Sequence, residues 1–145
     1  MKAPLERCLR ISALADFLGC GYEEIEEIEE ISDRHPEYSI DGEYYMVLTD
    51  SEADKLSAEY VADTLWAFNA DFLADYCDLP REVFTVLQDR AEGANDTVRK
   101  LINRAEGGFP EFVDAAIGAD GRGHFLGAYD GEEHTSGEFF IYRTN

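Results

Sequence analysis

The first run of apolar positions, in "PLERCLRISALADFLG", recurs at helical spacing. Leu5, Leu9, Leu14, Phe17 and Leu18 share a period near 3.6, with Pro4 in the first turn and Gly19 or Gly21 as the stop, which predicts a helix over about 4–19. In "GYEEIEEIEEIS", Ile25, Ile28 and Ile31 recur every third residue among six glutamates. A strand would split the isoleucines between two faces. A helix keeps them within an arc of roughly 120°, so a short helix is expected there. Like charges three and four apart on it would cost about 0.2–0.5 kcal/mol per pair, offset by burial of the isoleucine stripe.

In "EYSIDGEYYMVLT", two β-rich runs flank Asp41-Gly42, the dipeptide of a tight two-residue turn, and predict a hairpin over about 37–49. Thr49 and Glu52 then stand at capping-box spacing ahead of a helix. Its expected apolar face is Ala53, Leu56, Tyr60, Val61, Leu65 and Phe68. Shorter helices follow at 69–77, 80–91, 94–106 and 109–117, punctuated by Pro80, Gly93, Gly107-Gly108 and Pro110. The end reads as two strands, about 123–129 and 137–143. The expected fold class is α+β: five to seven helices on a small antiparallel sheet built from an early hairpin (about 37–49) and a C-terminal hairpin (about 123–143). The 145 residues form one domain by length, with 45% hydrophobic residues to supply a core.

Charge changes this picture. Thirty-two acidic residues against 12 basic ones give a formal −20. Residues 21–78 alone hold 18 acids and two bases, Arg34 and Lys55, a net of −16. Such a chain is repelled by nucleic acid and by anionic membranes and attracted to basic proteins, so direct nucleic-acid binding is excluded as a function class. Glu52, Glu59 and Asp63 are expected on the polar side of one helix, with Asp50 and Asp54 nearby, and Asp71, Asp75 and Asp78 on the next. Acids four apart on a helix are separated by roughly 6 Å of rise, comparable with the step between successive phosphates on a strand. Glu23, Glu24, Glu26, Glu27, Glu29, Glu30, Glu52, Glu59, Asp63, Asp71 and Asp75 are therefore the candidate partner-binding carboxylates. Tyr22, Tyr44 or Tyr38 are candidate aromatic anchors.

Other chemistry is thinner. Cys8, Cys20 and Cys77 are scattered, form no C-x-x-C, and read as buried small hydrophobes in a reducing cytoplasm. No apolar run reaches the ~20 residues of a membrane span, and no signal-peptide core is expected in the charged N-terminus. Asp120, His124, Asp130, Glu132, Glu133 and His134 are types that bind metals or transfer protons, with His124 and His134 meeting across the last hairpin. They match no helix-borne zinc motif and no calcium loop. Arg90, Arg99, Lys100 and Arg104 are expected to pair with internal acids such as Asp96 or Glu106. The lesser alternative is head-to-tail packing in a homodimer. No nucleophile motif or phosphate loop is present, and neither catalytic residues nor a cofactor are expected.

The stretches "YYMVLTDSEAD", "LWAF" and "GRGHFLGAYDGEEHTSGEFFIYRTN" resemble small acidic proteins that recur in phage and prophage genomes without an assigned function. That resemblance covers roughly 43–68 and 120–145. It implies action inside an infected bacterium, in the class where acidic phage proteins mimic nucleic acid and block CRISPR effectors or restriction enzymes. The expected function is such an inhibitor, docking a basic nucleic-acid-binding cleft. The alternatives are a small metal-binding module or metal-dependent enzyme using the Asp/Glu/His residues of the C-terminal hairpin, and an acidic phage adaptor.

Overall fold

Asp41 and Gly42 both take positive φ, 49° and 82°, as a tight hairpin turn requires, and they join β2 (Glu37–Ile40) to β3 (Glu43–Leu48). The computed structural model describes residues 4–27 and 36–145. Among the described residues, five antiparallel strands form one sheet in the order β1-β2-β3-β5-β4, with β1 at Glu26–Glu27, β4 at His134–Ser136 and β5 at Phe139–Arg143. Register is set by Tyr38↔Tyr45 in the early hairpin, Val47↔Ile141 at the centre, and Thr135↔Phe140 in the C-terminal hairpin. The fold is α+β, with seven α-helices among the described residues.

The chain divides into two units, residues 1–57 with 122–145, and residues 58–121. The first contains the whole sheet. Helix α1 (Pro4–Leu18) packs on it, and Ile11, Leu14 and Ala15 join Ile25, Tyr38, Tyr45, Val47 and Ile141 in one buried cluster. The opposite face of the sheet carries Met46, Leu48, Phe140 and Tyr142, and is met by Arg122 of the short helix α7 (Arg122–Leu126). Cover on both faces explains why β3 reads "YYMVL", a continuous apolar run rather than an alternation.

The second unit holds the latter part of α2 (Asp50–Asp63), a 3₁₀ turn at Leu65–Ala67, and α3 (Ala70–Cys77), α4 (Arg81–Gln88), α5 (Asn95–Arg104) and α6 (Gly108–Asp120). Phe112 is its centre, with the rings of Phe68, Phe72 and Tyr76 at 5.3, 5.5 and 5.1 Å. Edge-on and tilted contacts of this kind add to the area they bury.

Three expectations need correction. The glutamate-isoleucine stretch is not a helix where it is described: Tyr22–Glu24 is a single 3₁₀ turn, and Glu26–Glu27 pairs with Ser39 and Tyr38 as the edge strand β1. Extended backbone sends successive side chains to opposite faces, so Glu26 and Glu27 separate. Ile25 is seated in the core; Ile28, Glu29, Glu30 and Ile31 lie outside the described residues. Residues 123–126, expected to begin a strand, belong to α7, and the C-terminal hairpin occupies 134–143. On α2 the inward face is Ala53, Ser57 and Val61; Leu56 is half-buried and Tyr60 is exposed.

Candidate functional site

The candidate carboxylates fall into three groups. Around the 3₁₀ turn, Glu23, Glu24 and Glu26 are exposed. Glu24 also closes the turn, accepting the Gly21 amide at 2.7 Å. Glu27, on the other face of β1, lies 3.4 Å from the Arg7 guanidinium. Tyr22 is 42% exposed and donates its hydroxyl to the Cys8 sulfur at 3.3 Å, a contact that raises its pKa. Tyr44 is also exposed, but Tyr38 is fully buried and is no anchor. Cys8 is exposed, against expectation; Cys20 and Cys77 are half-buried.

Glu52 leaves the surface. The expected capping box is present, with the Thr49 amide donating to Glu52 Oε1 at 2.8 Å and the Glu52 amide to Thr49 Oγ1 at 3.3 Å. The same carboxylate receives both terminal nitrogens of Arg10, at 2.8 and 3.1 Å. Arg10 has no exposed surface, and a cation there has to be matched by a close anion.

In the second unit Glu59 and Asp63 on α2, Asp75 on α3 and Asp78 at the C-terminal cap of α3 are exposed and make no ion pair with a described residue. Asp71 lies 3.1 Å from Arg81, both largely in water, a pairing of small energetic weight. The basic minority does not pair as expected. Arg90, Arg99, Lys100 and Arg104 form no ion pair with a described residue, and Arg99 lies over the Phe109 ring at 4.5 Å.

Sequence reasoning missed a cluster built on Arg122, a residue that stands between two glycines. Its Nη1 lies 2.9 Å from both Asp50 and Asp54, and its Nε donates to Glu133 at 2.8 Å. The guanidinium stacks on Phe140 at 4.6 Å. Burial works against its charge, yet the three carboxylates raise its affinity for the proton above that of a free arginine. Glu133 in turn accepts the Tyr142 hydroxyl, and burial with that contact pushes the phenol well above its ordinary range. Gly123 permits the approach: a Cβ there would lie 2.6–2.7 Å from backbone atoms of residues 131–133, so α7 sits tight against that loop and brings Arg122 to Glu133.

The two histidines do not meet as expected. His124 is exposed on α7 beside Phe125, whereas His134 on β4 lies 3.2 Å from Asp130 and 4.9 Å from the Phe17 ring. No group of three metal-ligating side chains occurs among the described residues, and no described helix is long and apolar enough to cross a membrane. No protein family, curated protein or solved structure matches the chain.

Proposed function

We propose that this protein is a non-enzymatic inhibitor that binds the cationic nucleic-acid cleft of another protein and competes with nucleic acid for it. The observation that carries this reading is where the internal cations go. In the first unit, Arg7, Arg10, Arg122 and Arg143 are all engaged by Glu27, Glu52, Asp50, Asp54, Glu133 and Glu43. Glu23, Glu24 and Glu26 remain exposed without a described cation beside them, and Glu59, Asp63 and Asp75 do so in the second unit. Carboxylates crowded without a cation beside them repel one another, and an external cationic surface relieves that repulsion.

The phage resemblance directs the target class to CRISPR effectors and restriction enzymes in a bacterial cytoplasm. Association with such a target is steered by charge, so it is fast and falls steeply with ionic strength. Cleavage of duplex DNA by a reconstituted effector or restriction enzyme is the assay. Inhibition that disappears in Glu23→Lys/Glu24→Lys/Glu26→Lys combined with Glu59→Lys/Asp63→Lys, and that excess non-specific DNA relieves, supports the proposal. Inhibition indifferent to those changes refutes it, and binding that survives excess DNA indicates an adaptor.

A further inference from the structure

Helix α1 presents two faces of unusual composition. Inward, Arg10, Ile11 and Leu14 are buried against the sheet. Outward, the stripe at i, i+3, i+4, i+7 and i+11 is Leu5, Cys8, Leu9, Ser12 and Asp16, all exposed. An outward stripe is normally polar from end to end. Here its first two turns are apolar: Leu5 is 72% exposed and Leu9 52%, with Cys8 between them. Tyr22 extends the patch, because its hydroxyl reaches Cys8 and holds the 3₁₀ turn Tyr22–Glu24 beside α1. Four apolar or aromatic side chains at neighbouring positions form a patch, unlike the scattered single leucines found on any surface.

We infer that this patch docks an amphipathic cationic helix of the partner, its apolar side on Leu5, Leu9 and Tyr22 and its lysines or arginines against the carboxylates that border them. Charge selects this occupant. Glu23 and Glu24 follow Tyr22 directly, Asp16 ends the stripe, and Arg7 of the same helix is engaged by Glu27. A second copy of the chain would meet the same rim with a further net −20, so self-association through this face is opposed. A cationic helix meets an apolar centre with an anionic border, the helix-in-groove arrangement with opposite charges at its margin. This deepens the proposed function by assigning the partner a helix-borne contact in addition to its nucleic-acid cleft.

The probe is a fluorescein-labelled 14-residue peptide of leucine and lysine at helical amphipathic spacing, compared with a scrambled peptide of the same composition. Fluorescence anisotropy with the full-length protein should show the amphipathic peptide bound at least ~10-fold more tightly, a difference of about 1.4 kcal/mol. Leu5→Ser/Leu9→Ser should abolish that preference while leaving the weaker binding of the scrambled peptide unchanged. Both leucines are solvent-exposed, and an unaltered circular dichroism spectrum and melting temperature verify that the variant is folded. Equal binding of the two peptides, or a preference that survives in the double variant, overturns the inference. So does a dimer in sedimentation equilibrium that the double variant dissociates. Loss of nuclease inhibition on charge reversal is read separately, so this contact and the decoy mechanism fail independently.

Discussion

Arg10 and Glu52 face each other through two parallel hydrogen bonds, 2.8 and 3.1 Å long, across 42 positions of sequence. Arg10 Nη1 also donates to the Val47 carbonyl at 2.7 Å, so one guanidinium ties α1, β3 and the start of α2 together. Glu52→Ala leaves that cation buried without its carboxylate and opens the capping box. A loss of about 3–5 kcal/mol is expected in urea denaturation, at the level measured for breaking buried pairs. A loss below about 1 kcal/mol, the scale of a helix cap alone, would show that the pair contributes nothing beyond the cap.

Gly123 and Gly118 form a matched test of close approach. A methyl group at Gly123 would meet the Glu132 carbonyl carbon at 2.6 Å and the Glu133 amide nitrogen at 2.7 Å, backbone atoms that cannot rotate away. Gly123→Ala is expected to lower stability by about 1–3 kcal/mol through overpacking. At Gly118, inside α6, nothing lies within 4 Å, and Gly118→Ala should raise stability by about 0.5–1 kcal/mol. Thermal melts of the two variants should therefore move in opposite directions.

The alkaline limb of the stability curve should report Tyr142. Its phenol is held protonated in the folded state by burial and by the adjacent Glu133 carboxylate, while the unfolded chain ionises near 10. A folded-state pKa above the unfolded one supplies stability below pH ~10 that is lost as pH rises beyond it. Tyr142→Phe should flatten the decline above pH ~10 in equilibrium unfolding. An unchanged slope would assign the decline to other groups.

Asn95 joins two segments of the second unit. Its amide nitrogen donates to the Ala62 carbonyl at 2.6 Å and its oxygen accepts from the Trp66 amide at 3.2 Å. Asn95→Asp keeps the shape but sets a carboxylate against the Ala62 carbonyl. It should cost about 1–3 kcal/mol, the range for an unsatisfied, part-buried polar group. Faster hydrogen exchange at the Trp66 amide should accompany Asn95→Ala, which removes its acceptor.

Local signals in the chain were legible where one physical rule dominated. Asp41-Gly42 admits one kind of turn, and Thr49 with Glu52 forms the box that their spacing predicts. The glutamate-isoleucine stretch misled because a three-residue period of isoleucines carries no information about tertiary pairing. The hydrogen bonds offered by β2 and the core position taken by Ile25 decide the conformation of its described part. Residues 123–126 misled because their apolar content suits a strand or a buried helix alike. The Arg122 cluster was invisible because its partners, Asp50, Asp54 and Glu133, meet only once the sheet closes. The exposed acids Glu23, Glu59, Asp63 and Asp75 were the readable part of the candidate surface. Glu52 was not, because nothing in composition distinguishes a carboxylate bound to its own buried arginine from one left to solvent.

The margins of the sheet bear on behaviour at high concentration. Its outermost strands are polar where described, Glu26–Glu27 on one side and the three-residue His134–Ser136 on the other, with the centre kept to β2, β3 and β5. His134–Ser136 ends before a second chain could add a ladder of useful length, and the two glutamates of the other strand penalise in-register stacking of identical molecules. The apolar run of β3, the segment best suited to nucleate fibrils, is thereby screened on both sides by neighbours of its own chain.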